Sequence, residues 1–160
     1  MRHTNKMSFE TFFLGKERVK NSFVGEMASA GAEISGKVEG GGSISMRYGS
    51  RMIITAERSS IPSLTEDDFV EVADYDAVRN IAMVIGVSEP SADTPLHWLI
   101  YRRDDINAIV SFGKIEGKSI DYAMGALKEL KNSNSITLKG YGKIAVGKNL
   151  KEAVEGITCL

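Results

Sequence analysis

Two β-compatible runs, Ser43 to Tyr48 and Arg51 to Thr55, are separated only by Gly49-Ser50. A two-residue link of this kind joins antiparallel neighbours in a hairpin, so any fold for this chain must hold an antiparallel pair near its middle. Further short apolar runs follow at Val70 to Val72, Ile81 to Val87, Asn107 to Phe112, Ser135 to Lys139 and Lys143 to Val146. Asp74 to Asp76 reads as turn material between the first two of these.

Helical patterns lie between the strand signals. Val19, Phe23, Met27 and Ala30 form one apolar stripe, predicting a helix from about Lys16 to Ala32. Thr65 followed by Asp68 resembles a capping box and predicts a short turn. Thr94 as N-cap and Pro95 at the first helical position open a helix to about Arg103. Gly117 to Lys131 is amphipathic, and Asn149 caps a closing helix to about Glu155. Residues 1–8 read as a polar lead-in, and Gly36 to Gly42 as a glycine-rich stretch permitting close backbone approach. The expectation is one mixed α/β domain over residues 1–160 with an antiparallel-rich sheet.

Bulk chemistry narrows the function classes. Twenty basic residues meet twenty-one acidic ones, for a net charge of -1, so no diffuse attraction to nucleic acid or an anionic membrane is expected. No apolar run approaches the roughly 20 residues of a membrane span. Cys159 is the only cysteine, which rules out an intrachain disulfide and fits a cytoplasmic setting. The glycine run lacks a Lys-Ser/Thr ending and is no P-loop.

Five segments in order carry a resemblance. They are Gly42-Ser43-Ile44-Ser45-Met46-Arg47; Met52-Ile53-Ile54-Thr55; Pro90-Ser91-Ala92-Asp93 with Leu96-His97 through Tyr101-Arg102; Asn107-Ala108-Ile109-Val110; and Leu138 to Gly142 with Ala145-Val146-Gly147-Lys148, Leu150, Glu152 and Ala153. Together they resemble the class II aldolase/adducin family. The resemblance implies a three-layer α/β/α domain with a mostly antiparallel central sheet, homo-oligomeric assembly, and zinc-dependent cleavage or epimerisation of a small sugar phosphate. A cation holding both oxygens of the enediolate would stabilise its charge as it forms.

This chain departs from the pattern at the metal. Where the resemblance places three histidines, it has Ser111, Gly113 and Tyr141. Two hydroxyls and a hydrogen are poor substitutes for imidazoles, so zinc is expected to be lost and no cofactor is assigned. His97 is expected to serve packing, and His3 lies in the lead-in. Asp93 stands at the acid/base position, one methylene shorter than the usual Glu; it could equally help cap the following helix. Glu57-Arg58 replaces a Ser-Gly pair of the phosphate pocket, and Ser43, Thr55 and Ser91 are its surviving polar groups. Glu57 would repel a phosphate, whereas Arg58 could attract one. The family's C-terminal helices have no counterpart before Leu160.

Two readings follow. In the first, the scaffold has lost zinc chemistry and serves as a ligand-binding or assembly module for a small phosphorylated sugar or carbonyl compound. In the second, it is a lyase or epimerase without zinc: Asp93 is acid/base, Tyr141 a proton donor, and Ser111 a hydrogen-bonding group, with Mg²⁺ on Asp93, Glu57 or Glu116 as a variant. Residues of the missing site supplied by a partner subunit are a third arrangement.

Overall fold

The computed structural model describes residues 8–36 and 41–160; residues 1–7, and with them His3 and most of the lead-in, lie outside it, as does the middle of the glycine-rich stretch including Gly40. Eight strands form one sheet: β1 (Glu10–Gly15), β2 (Gly42–Tyr48), β3 (Arg51–Thr55), β4 (Phe69–Asp76), β5 (Ile81–Ile85), β6 (Ala108–Gly113), β7 (Ser135–Leu138) and β8 (Gly142–Gly147). Their order is β1-β5-β4-β3-β2-β6-β8-β7. The four helices are α1 (Phe23–Ile34), α2 (Thr94–Ile100), α3 (Ser119–Glu129) and α4 (Leu150–Thr158).

The expected hairpin is present, with Tyr48 opposite Arg51 and Gly49 at φ 61 in the turn. The sheet, however, is mixed. Its edge strand β1 runs parallel to β5, pairing Glu10 with Ile81, and this correction to the antiparallel expectation comes from a strand with no local signal. Phe12 and Leu14 on β1 are 58% and 51% exposed, which breaks the alternation that marks a half-buried strand. Its partner lies about seventy residues away in sequence.

Three boundaries also move. Asn21 Oδ1 accepts from the Phe23 N–H at 2.9 Å, and this side-chain turn delays α1 to Phe23 although Val19 is buried ahead of it. β4 continues through Asp74 to Asp76, so the turn falls at residues 77–80 instead. There Asp76 Oδ1 accepts from Val78 and Arg79, and Asn80 takes φ 60. Helix α2 begins at Thr94 with Asp93 as the flanking residue, one position earlier than expected.

Helices lie against both faces of the sheet. On one face α1 and α4 bury Met27, Ile34, Ala153 and Ile157 against Ile44, Met46, Ile53, Val110 and Phe112. On the other, α2 and α3 bury Leu96, Ile100, Ala123 and Ala126 against Ile54, Val70, Ile109 and Ile144. Alternation along β2 and β6 therefore sends Ile44, Met46, Ala108 and Val110 one way, and Ser43, Ser45 and Ser111 the other, toward α2. Strands β2 and β6 pair Ser43 with Ser111 directly. That pairing builds the floor of the site.

Candidate functional site

Residues Asp93, His97 and Tyr101 follow one another at four-residue spacing and share the face of α2 turned to the sheet. Each meets a strand hydroxyl. Ser43 Oγ donates to Asp93 Oδ2 at 2.8 Å; Ser111 Oγ reaches the same oxygen at 3.4 Å and His97 Nε2 at 2.8 Å; Ser45 Oγ bridges His97 Nδ1 at 2.7 Å and the Tyr101 hydroxyl at 2.9 Å. Tyr141, just before β8, donates its hydroxyl to Asp93 Oδ2 at 3.0 Å. Ser91 Oγ lies 2.5 Å from Ser43 Oγ. The result is one hydrogen-bonded seam beneath α2, all of it buried.

Proton directions in the seam are fixed by one end. An ionised carboxylate only accepts, so Ser111 gives its proton to Asp93 and must receive one from His97 Nε2–H. The imidazole is then the Nε2–H tautomer, Nδ1 accepts from Ser45, and Ser45 accepts from Tyr101. Burial drives His97 down to a pKa of about 3, so the ring is neutral at ordinary pH, as this pattern requires. Ser43 also gives its proton to Asp93, so Ser91 donates to Ser43.

Burial is also the first cause of the raised pKa of Asp93, pushed up to about 6; the Ser43, Tyr141 and Ser111 hydroxyls oppose that shift and the nearby Glu57 charge adds to it. Tyr141 is raised well above the usual phenol value, chiefly by burial and then by the Asp93 charge. The Asp93 carboxylate does not cap α2 through its side chain. It collects three hydroxyl bonds instead.

Asp93 also forms part of the wall of a cleft of about 560 Å³, with Gly42, Ser43, Glu57, Ser59, Ser91 and Lys114 among the other lining residues. Asp93 Oδ2 faces the seam, while Oδ1 takes no hydrogen bond from the described residues. The candidate residues therefore separate into groups. Asp93, Ser43 and Ser91 line the cleft, and Ser111 and Tyr141 support Asp93 from behind. Thr55 is fully buried, its hydroxyl accepting from the Ile44 N–H at 3.2 Å, so it holds the hairpin and is not among the cleft-lining residues. Arg58 is exposed and likewise lies outside the lining. Lys114, Ser59 and the Ser45–His97–Tyr101 half of the seam were not singled out as site residues from sequence; a polar stripe at 93, 97 and 101 on an apolar helix, opposite serines at 43 and 45, is the signal that could have found the last.

The positions expected to hold metal ligands do not fit zinc. Ser111 and Tyr141 direct their hydroxyls to Asp93, and Gly113 offers no side chain. A Cβ on Gly113 would stand 2.4 Å from the Tyr141 carbonyl oxygen and 2.7 Å from its ring carbon Cε2, so the backbone and ring of Tyr141 together occupy the space a longer side chain there would need. Among the described residues no three of His, Cys, Asp and Glu gather into a metal-binding group. Glu116, named for the magnesium variant, is not among the lining residues; its backbone N–H and C=O are both tied to the Tyr122 hydroxyl.

Comparison with known proteins places this site in a family. Residues 32–112, just over half of the 160-residue chain, match the family described as the class II aldolase and adducin N-terminal domain. The chain belongs to this family. It is 29% identical over 147 residues to an L-fuculose phosphate aldolase of Methanocaldococcus jannaschii, covering 72% of this chain and 77% of that protein. Among solved structures, an L-fuculose 1-phosphate aldolase superposes with a TM-score of 0.71 at 19% identity, over 88% of this chain and 82% of the other. The N-terminal class II aldolase domain of a conserved protein from Thermoplasma acidophilum gives 0.59 at 13% identity, over 91% and 93%. At these identities the structural likeness speaks for the fold. Among the described residues no helix is long and apolar enough to cross a membrane.

Proposed function

We propose that this class II aldolase-family chain has given up zinc-dependent sugar-phosphate cleavage and keeps the cleft beside Asp93 as a binding pocket for a small polar carbonyl or sugar compound. The observation that carries the reading is the Tyr141 ring lying against Gly113 with its hydroxyl on Asp93, in the place where the family resemblance calls for imidazoles. A histidine at 113 would collide with both the Tyr141 carbonyl oxygen and that ring. Zinc titration of untagged protein, with elemental analysis and an assay for aldol cleavage, tests it. No stoichiometric zinc and no zinc-stimulated cleavage are expected; one tightly held equivalent would refute it.

One observation favours a second reading, a lyase or epimerase independent of zinc. Burial pushes Asp93 up to about 6 at the cleft wall, and Oδ1 takes no hydrogen bond from the described residues, which suits a carboxylate that takes a proton from a substrate hydroxyl and returns it. Tyr141 would steady the carboxylate from behind, and among the described residues the Lys114 ammonium is the cation of the lining available to an enolate-like product. Asp93→Asn should then abolish turnover while ligand binding persists. Retained turnover in that variant would remove this reading.

Assembly of identical copies in the cytoplasm, as one domain and without nucleic acid, completes the proposal; the exposed Phe12 and Leu14 on edge strand β1 support self-association. Sedimentation of wild type and a Phe12→Lys, Leu14→Lys variant tests the oligomer.

A further inference from the structure

The segment from Ser91 to Asp93 forms the cleft wall ahead of α2, and all four N–H groups, its own and that of Thr94 opening the helix, have internal partners. Ser91 N–H donates to the Thr55 carbonyl at 3.0 Å, Asp93 N–H to Ser91 Oγ at 3.0 Å, and Thr94 N–H to the Ser91 carbonyl at 3.0 Å. The fourth, on Ala92, donates to Glu57 Oε1 at 2.7 Å. Glu57 is set in reach by its own backbone: its N–H donates to the Glu89 carbonyl at 3.0 Å, and Ala56 bridges Pro90 beside it. The Ala92 amide of this wall is therefore already bound to a carboxylate of the same chain.

Three of the four serine hydroxyls of the described lining, all but that of Ser8, are committed in the same sense. Ser43 gives its proton to Asp93, Ser91 to Ser43, and Ser59 to the Ala56 carbonyl at 2.7 Å. Toward the cleft these groups present lone pairs, next to two carboxylates, Glu57 and Asp93. Among the described residues, Lys114 on the opposite strand end is the cationic side chain of the lining. A phosphate brings three or four acceptor oxygens and about two negative charges. It would find acceptors where it needs donors, and like charge within the same cleft. An uncharged molecule rich in hydroxyls brings the donors this wall lacks.

From this arrangement we infer that Glu57 is a specificity-determining residue: its carboxylate occupies the Ala92 amide as a built-in anion, and the cleft takes an uncharged hydroxyl-rich carbonyl compound or free sugar in preference to its phosphate ester. The inference deepens the zinc-free binding reading and rests on it, since a metal ion in the cleft would reverse the charge balance. Glu57 is exposed, so its replacement leaves the core untouched.

Calorimetric titration with inorganic phosphate, and with L-fuculose and its 1-phosphate as a matched pair, provides the test, on wild type and Glu57→Ser with melting temperatures checked alongside. Wild type should show no saturable phosphate binding and should favour the free sugar by about tenfold or more, a factor equal to about 1.4 kcal/mol. Glu57→Ser should acquire phosphate binding and shift preference toward the phosphate ester by a similar factor. Phosphate binding by wild type equal to or tighter than that of Glu57→Ser would overturn the inference, as would a wild-type preference for the ester. Zinc uptake without phosphate binding would strike only the earlier reading, and phosphate binding without zinc only this one.

Discussion

Strands β2 and β6 have two faces built on opposite principles. Toward α1 and α4 they present Ile44, Met46, Ala108, Val110 and Phe112, a packed apolar layer with nothing for a ligand to recognise. Toward α2 the same strands present Ser43, Ser45 and Ser111, matched to Asp93, His97 and Tyr101 in a fully hydrogen-bonded seam. The apolar face stabilises by removing surface from water, at roughly 25 cal/mol per Å². The polar face burns part of that gain to keep a carboxylate buried in an uncomfortable protonation state. The comparison teaches where the fold departs from what stability alone would prefer: on the side of the sheet where polar groups stand in place of aliphatics.

The largest expected effect breaks the apolar side. Ile44 is fully buried, and Ile44→Ala should cost about 3 kcal/mol in denaturant unfolding through lost burial and a residual cavity. If the two faces are separate in role, the Asp93 titration followed by carboxyl ¹³C NMR stays where it is.

The polar side should respond in the opposite direction. Asp93 has a folded pKa of about 6, raised from an unfolded value of 3.8. The folded state therefore holds the extra proton between those values, and the stability that proton brings is complete below 3.8 and lost as pH rises through 6. Asp93→Asn removes the ionisation penalty, so it should stabilise the protein by about 2 kcal/mol at pH 7.5 and by almost nothing at pH 4. His97 acts with the reverse sign: its depressed pKa of about 3 means the unfolded chain takes up a proton first, so stability from this group falls as pH drops from 6.5 toward 3. Denaturant unfolding of wild type and variant across pH 4 to 8 separates the two.

Smaller effects sharpen the seam itself. Ser111→Ala leaves His97 Nε2–H without its acceptor and takes a donor from Asp93; about 1.5 kcal/mol of stability should go, and the Asp93 midpoint should rise. Tyr141→Phe removes one donor and keeps the ring, so about 1 kcal/mol of stability should go, with a larger upward shift of Asp93 than in Ser111→Ala. The Nε2–H tautomer of His97, read from its ring ¹⁵N shifts, should persist in Tyr141→Phe.

Local features were legible in the sequence. The Gly49-Ser50 hairpin needs only its own residues, as does the Asn149 cap, whose Oδ1 accepts from Glu152 N–H at 2.9 Å. The Thr65 N–H bond to Asp68 Oδ2 at 2.8 Å closes the expected turn in the same way. Features that depend on distant partners were not legible. β1 exists because β5 offers it a parallel edge, and nothing between residues 9 and 15 announces that. The site divides along the same line. Asp93, Ser43, Ser91, Ser111 and Tyr141 were reachable through motif positions, yet whether Asp93 capped its helix or gathered hydroxyls depended on strands about fifty residues upstream and downstream. Lys114 and the Glu57–Ala92 bond depend on how loops meet across the cleft, which periodicity does not encode.

A crystal structure of the protein soaked with zinc, with anomalous data collected at the zinc edge, most directly tests whether the Ser111, Gly113 and Tyr141 corner has abandoned metal. The account predicts no anomalous peak within bonding distance of Ser111, Tyr141 or Asp93, and a Tyr141 hydroxyl still on Asp93. A full-occupancy zinc ion held by those side chains, with Tyr141 swung away from Gly113, would contradict it.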